Sequence, residues 1–103
     1  MDRDPRSPLA ANQPVQVTVL GANETRSMGL VSASSRDSVE LLIDTPAPPG
    51  AAVKIERNET LLLGEVRFCR PEGSLFTIGV ELRHALYNTH ELARLAKSLL
   101  HRL

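Results

Sequence analysis

The sequence predicts a small, mainly β protein, one antiparallel barrel followed by a C-terminal helix. Two observations carry this. Between residues 15 and 82 short runs alternate apolar and polar side chains with period two, separated by turn-forming residues. After residue 88 the apolar period lengthens to that of a helix. A chain of 103 residues has room for one modest core and no second lobe.

Residues 1–14 are charged and contain Pro5, Pro8 and Pro14, so they read as a flexible Arg-containing arm. The barrel is expected over residues 15–87. Val15, Val17 and Val19 alternate with Gln16 and Thr18, giving a first strand that Gly21 and Asn23 end. Residues 28–31 and 39–43 flank a polar turn without glycine, and together the stretch GLVSASSRDSVELLID is the most informative in the chain. VELLI by itself fits a buried strand or a piece of helix; its shortness and the TPAPPG that follows decide for a strand. Pro49-Gly50 reads as a turn with glycine at positive φ.

Val53 and Ile55 alternate with Lys54 and Glu56, and Asn58 suits a tight hairpin because asparagine tolerates the left-handed region. A long strand over residues 61–70 follows, with Gly64 marking a bulge or barrel corner. Pro71, Glu72 and Gly73 make the next turn. Phe76, Ile78, Val80 and Leu82 then line one face of the last strand, opposite Thr77, Gly79 and Glu81. The repeated text NETRSMGLV and NETLLLGEV is expected to reflect similar hairpin chemistry before similar strands.

Residues 88–103 form an amphipathic helix of the same domain. Asn88 caps it with Glu91 three residues on, and Lys97, His101 and Arg102 suit the negative end of its dipole. Its leucines have two readings: they plug an open barrel end, or Leu92, Leu99, Leu100 and Leu103 form a partner or dimer surface.

Composition excludes several classes. Twelve Lys and Arg balance twelve Asp and Glu, so no net field draws the chain to a nucleic-acid polymer or an anionic membrane. Nothing approaches the roughly 20 apolar residues of a membrane-spanning helix, and the N-terminus lacks the apolar block of a signal peptide. The lone Cys69 fits a reducing compartment and reads as a small buried hydrophobe, so a cytoplasmic location is expected. His84, His90 and His101 lie in or beside the tail with no metal-pair spacing, and the serines lack a nucleophile elbow, so no enzyme and no metal site is expected. Single-strand binding needs aromatic platforms, yet the chain has no Trp, and Phe68 and Phe76 fall on apolar faces where they read as core.

The order of these elements resembles a PilZ domain over roughly residues 3–86. The resemblance rests on Gly29-Leu30-Val31 before the turn, Pro49-Gly50 before Val53-Lys54-Ile55, Gly64-Glu65-Val66, and Ile78-Gly79-Val80-Glu81-Leu82. It implies a six-stranded antiparallel barrel with a C-terminal helix, in a family of bacterial receptors for cyclic di-GMP. In that family two arginines of an RxxxR arm meet the dinucleotide, and a D/N-x-S-x-x-G turn supplies acceptors and a glycine.

Here the motif is degenerate. With Arg6 as the second arginine, Asp2 stands at the first and Arg3 is one residue out of register. In the turn Ser32 takes the Asp/Asn position, Ser34 matches the serine, and Asp37 replaces the glycine. A lost arginine contact to guanine, a non-glycine forced left-handed and a weaker acceptor together cost about 3 to 6 kcal/mol, or two to four decades in affinity. The expectation is therefore a non-enzymatic signalling module without cofactor, with cyclic di-GMP binding weak or lost, acting through an unidentified protein partner as monomer or homodimer. One alternative is a working receptor in which Arg3, Arg6 and Arg36 hold the ligand against Ser32 and Ser34. The other is a scaffold that associates through the C-terminal helix.

Overall fold

A computed structural model describes residues 9–21 and 23–86. The expected helix, the arginines Arg3 and Arg6, and Leu92, Leu99, Leu100 and Leu103 lie outside the described residues.

Six strands follow in order: β1 (Pro14–Val19), β2 (Thr25–Ser34), β3 (Ser38–Ile43), β4 (Ala52–Arg57), β5 (Thr60–Glu72) and β6 (Leu75–Leu86). They close into one barrel, β1-β2-β3-β6-β5-β4, with every pairing antiparallel. Closure follows from the alternation, because each strand has one apolar face and the barrel turns all six inward. The interior holds Val15 and Val17 of β1, Val31 of β2, Val39, Leu41 and Ile43 of β3, Val53 and Ile55 of β4, Leu62 and Val66 of β5, and Ile78 and Val80 of β6. Side chains this small and branched suit a narrow barrel, and burying each contributes about 1.5 to 3 kcal/mol.

The turns obey local chemistry. Gly50 has φ 91°, and Ala51 N–H donates to the Pro48 carbonyl at 3.1 Å, a type II turn with Pro49 at its second position. Asn58 has φ 54° in the two-residue link from Arg57 to Thr60. The two N-E-T stretches do not share a turn, however. Asn58 is left-handed whereas Asn23 is not, and before β2 the positive φ falls on Gly21. What they share is a threonine, Thr25 or Thr60, that opens a strand.

Four expectations need correction. The arm ends sooner than residue 14: Leu9 is buried in the core, and Asn12 N–H donates to the Val31 carbonyl at 2.7 Å while Val31 N–H donates to the Gln13 carbonyl. One leucine among prolines and charges has no period to announce it. The β5–β6 turn lies at Gly73-Ser74 rather than Pro71-Glu72-Gly73, since Pro71 pairs with Phe76 and Glu72 with Leu75. Proline is tolerated there because β4 pairs with β5 only as far as Glu65, leaving the N–H side of Pro71 without a ladder partner. β6 runs past Leu82 to Leu86, so His84 sits on a strand, opposite Leu63. Phe68 is not core: its ring lies outside the barrel over Gly79, with the Arg70 guanidinium 4.7 Å from its centroid. Phe76 and Cys69 do pack against the core as half-buried side chains.

Candidate functional site

The polar turn between β2 and β3 is where the sequence placed the site, and its geometry begins with a bulge. Val31 pairs with Leu41 but Ala33 pairs with Glu40, so Ser32 is the extra residue. Its hydroxyl donates to the Glu40 carbonyl at 3.1 Å. The bulge thus uses Ser32 to satisfy the backbone of the facing strand, a common structural role for serine.

Ser34 pairs with Val39 at the last rung of the hairpin and is half-buried. Beyond it Ser35 N–H donates to the Ser38 carbonyl at 2.8 Å and the two hydroxyls meet at 3.0 Å. Arg36 and Asp37 form the tip. Their side chains are 64% and 87% exposed and approach to 4.0 Å, a contact of little energetic weight in water. The expected strain at Asp37 is absent. Among the described residues the non-glycines with left-handed backbone are Asn12 and Asn58, so Asp37 occupies the glycine position in an ordinary conformation. The tip is pinned from the side, where Leu82 N–H donates to the Asp37 carbonyl at 2.8 Å.

Beside the turn lies a cluster that the motif reading missed. Ser38 pairs with Glu81, and Glu81 pairs with Glu65 across β5–β6. Two carboxylates directly opposite would repel. Two bulges resolve this, because the register shifts leave Arg83 as the extra residue on β6 and Arg67 as the extra residue on β5. Arg83 reaches Glu65 at 2.9 Å and Glu81 at 3.4 Å; Arg67 reaches Glu65 at 3.6 Å and also bonds Glu81. The hydrogen bond from Arg83, and next the charge of Arg67, hold the Glu65 carboxyl below its usual range. The available signal was the tripeptide Glu-x-Arg at 65–67 and again at 81–83, on strands now seen to be neighbours.

Of the candidate residues, then, the structure brings Ser32, Ser34, Arg36 and Asp37 together on one hairpin. Its nearest neighbours add carboxylates, Glu40 and Glu81, and the flanking Arg67 and Arg83 are already engaged. Among the described residues no group of His, Cys, Asp and Glu has the arrangement of a metal site, and no helix is long and apolar enough to cross a membrane. A separate open groove of about 280 Å³ lies on the outer face of β2 and β3, lined by Met28, Leu30, Leu42, Asp44 and Leu75 among others. It includes none of the turn residues. No protein-family model, no curated protein and no solved structure matches the chain.

Proposed function

We propose that the chain is a non-enzymatic, PilZ-like regulatory module of a bacterial cytoplasm in which cyclic di-GMP binding is weak or lost and regulation passes through protein contacts. Two kinds of observation support the reading. The closed six-stranded antiparallel barrel, with a polar turn after Gly29-Leu30-Val31, agrees with the barrel part of the architecture that the resemblance implies.

The state of Ser32 carries the second half of the proposal. Where the family's turn offers an Asp or Asn acceptor, this chain has a neutral hydroxyl that donates its proton to the Glu40 carbonyl and keeps only its lone pairs, a weaker acceptor than a carboxylate. Around it Asp37 and Glu40 outnumber the single cation Arg36, which lies 4.0 Å from Asp37, while Arg67 and Arg83 are each bonded to two carboxylates. A dinucleotide phosphate would meet like charge on arrival. With Asp37 in an ordinary conformation the strain contribution disappears from the expected loss, which falls to about 2 to 5 kcal/mol, still of the order that turns a micromolar receptor into one of tens of micromolar to millimolar affinity.

Calorimetric titration with cyclic di-GMP at low and moderate salt tests this, with Arg6→Ala alongside. The expected result is no detectable heat at micromolar ligand from a folded protein. Micromolar binding that Arg6→Ala removes would overturn it and establish a working receptor. One observation favours that second reading: Arg36 is held only by the 4.0 Å contact with Asp37 and is free to swing toward a phosphate. The triple change Asp2→Arg, Ser32→Asp and Asp37→Gly is expected to create binding if the motif alone is lacking.

A further inference from the structure

The outer face of β2 and β3 carries apolar side chains where the same face of β5 and β6 carries charge. Met28 is 63% and Leu30 40% exposed, and both open onto the groove whose far side is Leu42 and Leu75. Register sets Pro14, Leu30 and Leu42 abreast on three adjacent strands, so the apolar side chains form a stripe across the sheet. An exposed stripe of this kind on a small soluble barrel marks a contact surface. In a closed barrel β2 lies between β1 and β3, so a partner cannot add a strand to it and has to meet the face.

We infer that this face is a contact between two copies of the chain, and the charges at the end of the stripe are the reason. Arg26 stands two residues before Met28 on β2, and Asp44 two residues after Leu42, one past the end of β3. Because the strands are antiparallel, both charges fall at the same end of the stripe on adjacent strands, one positive and one negative. Among the described residues neither makes an ion pair; the Asp44 carboxylate accepts only the hydroxyl of its neighbour Thr45, at 3.0 Å. A second copy turned about a two-fold axis parallel to the strands lays β2 on the other copy's β3. Leu30 of each copy then covers Leu42 of the other, Met28 of each comes over Asp44 of the other, and Arg26, two residues further along β2, is within diagonal reach of that carboxylate. The face carries both signs of charge at one end of its apolar stripe, so a second copy can answer it, which a face of uniform charge cannot. This contact is distinct from the leucines of residues 88–103 and does not depend on cyclic di-GMP.

Sedimentation equilibrium of the full chain, from micromolar to millimolar, reads the association directly. A monomer–dimer equilibrium is expected, with a dissociation constant on the order of 10 to 500 μM for so small a face, weakening as salt rises. Leu30→Lys is expected to weaken it at least about tenfold with an unchanged melting temperature, since Leu30 points away from the core. Arg26→Asp is expected to weaken it severalfold, and adding Asp44→Arg to restore it, a recovery that a merely structural role for either residue would not give. A chain that stays monomeric to millimolar concentration overturns the proposal. So does association that survives Leu30→Lys and Arg26→Asp but is lost in Leu99→Asp, which would place the contact on the C-terminal leucines instead.

Discussion

The barrel has two long bulged hairpins, β2–β3 and β5–β6, and they are finished in opposite ways. Over the middle of β5–β6 the outward features are answered from within: Phe68 covers Gly79, Arg70 covers Phe68, and Arg67 and Arg83 neutralise the facing Glu65 and Glu81, while at the end of β6 Leu86 is left 40% exposed. On β2–β3 the bulge residue Ser32 is answered, but the tip and the outer face are left open, with Arg36, Asp37, Met28 and Leu30 exposed. A hairpin whose outer side chains satisfy one another is built for stability. One whose outer side chains lack partners keeps its unmet contacts for something else. The same device, an extra residue in a strand, serves the first case with arginine and the second with serine.

Substitutions of outward-facing side chains on β2–β3 should therefore leave stability nearly untouched, whereas substitutions within the β5–β6 hairpin should hurt it. The largest effect is expected at Gly64, where an added Cβ would lie 2.5 Å from the Glu81 carbonyl oxygen and 2.6 Å from Val80 Cγ1. Backbone of a paired strand cannot step aside, so Gly64→Ala is expected to cost about 2 to 4 kcal/mol. That corresponds to a fall of about 10 to 20 °C in melting temperature. At Gly79 the obstacle is the Phe68 ring, 2.1 Å from an added Cβ, and a half-exposed ring can swing. Gly79→Ala is expected to cost about 1 to 2 kcal/mol, part of which Phe68→Leu in the same chain recovers. Wild-type melting of Gly64→Ala would remove the basis for calling β5–β6 the rigid hairpin.

A smaller effect separates the hairpins by pH. Glu65 is held below its usual range chiefly by the Arg83 hydrogen bond, so the folded state favours its ionised form. The unfolded chain then binds the proton first on acidification. The contribution is complete above the ordinary glutamate value and is lost as pH falls through that value to the lower folded one. Denaturation midpoints followed from pH 7 to pH 3 should fall less steeply in Glu65→Gln than in the parent, and Arg83→Gln should flatten the fall more than Arg67→Gln. An unchanged slope in Arg83→Gln would mean that the network holds no protonation energy.

How far all this was legible in the chain follows from the range of the forces involved. The inward faces of β1, β4 and β6 were readable, because burial on one side forces period two, and the Pro49-Gly50 and Asn58 turns were readable, because they depend on φ at single residues. Leu9 was not, since one apolar residue carries no period. The outer ends of β5 and β6 were not, since backbone pairing beyond the core asks nothing of side-chain alternation. The Glu65, Glu81, Arg67 and Arg83 cluster depends on a register that two bulges set, and a bulge shows in sequence only as a residue too many. For the candidate site the sequence located the turn, but the role of Ser32 depends on which carbonyl faces it and the conformation of Asp37 on how Leu82 pins the tip.

The smallest expected effect is at Asp37 itself, and it discriminates most finely. If the turn retained a backbone built for glycine, Asp37→Gly would relieve strain and stabilise the protein by about 0.4 to 1 kcal/mol. Asp37 does not have a left-handed φ, so the change relieves nothing and adds freedom to the unfolded chain. A loss of up to about 1 kcal/mol is expected, readable as a small drop in the denaturation midpoint at unchanged slope. Any gain in cyclic di-GMP affinity from this change would then come from removing a carboxylate, and should shrink as salt rises, whereas a gain from restored backbone fit would not. Measured together, the two readouts say whether charge or shape limits cyclic di-GMP binding at this turn.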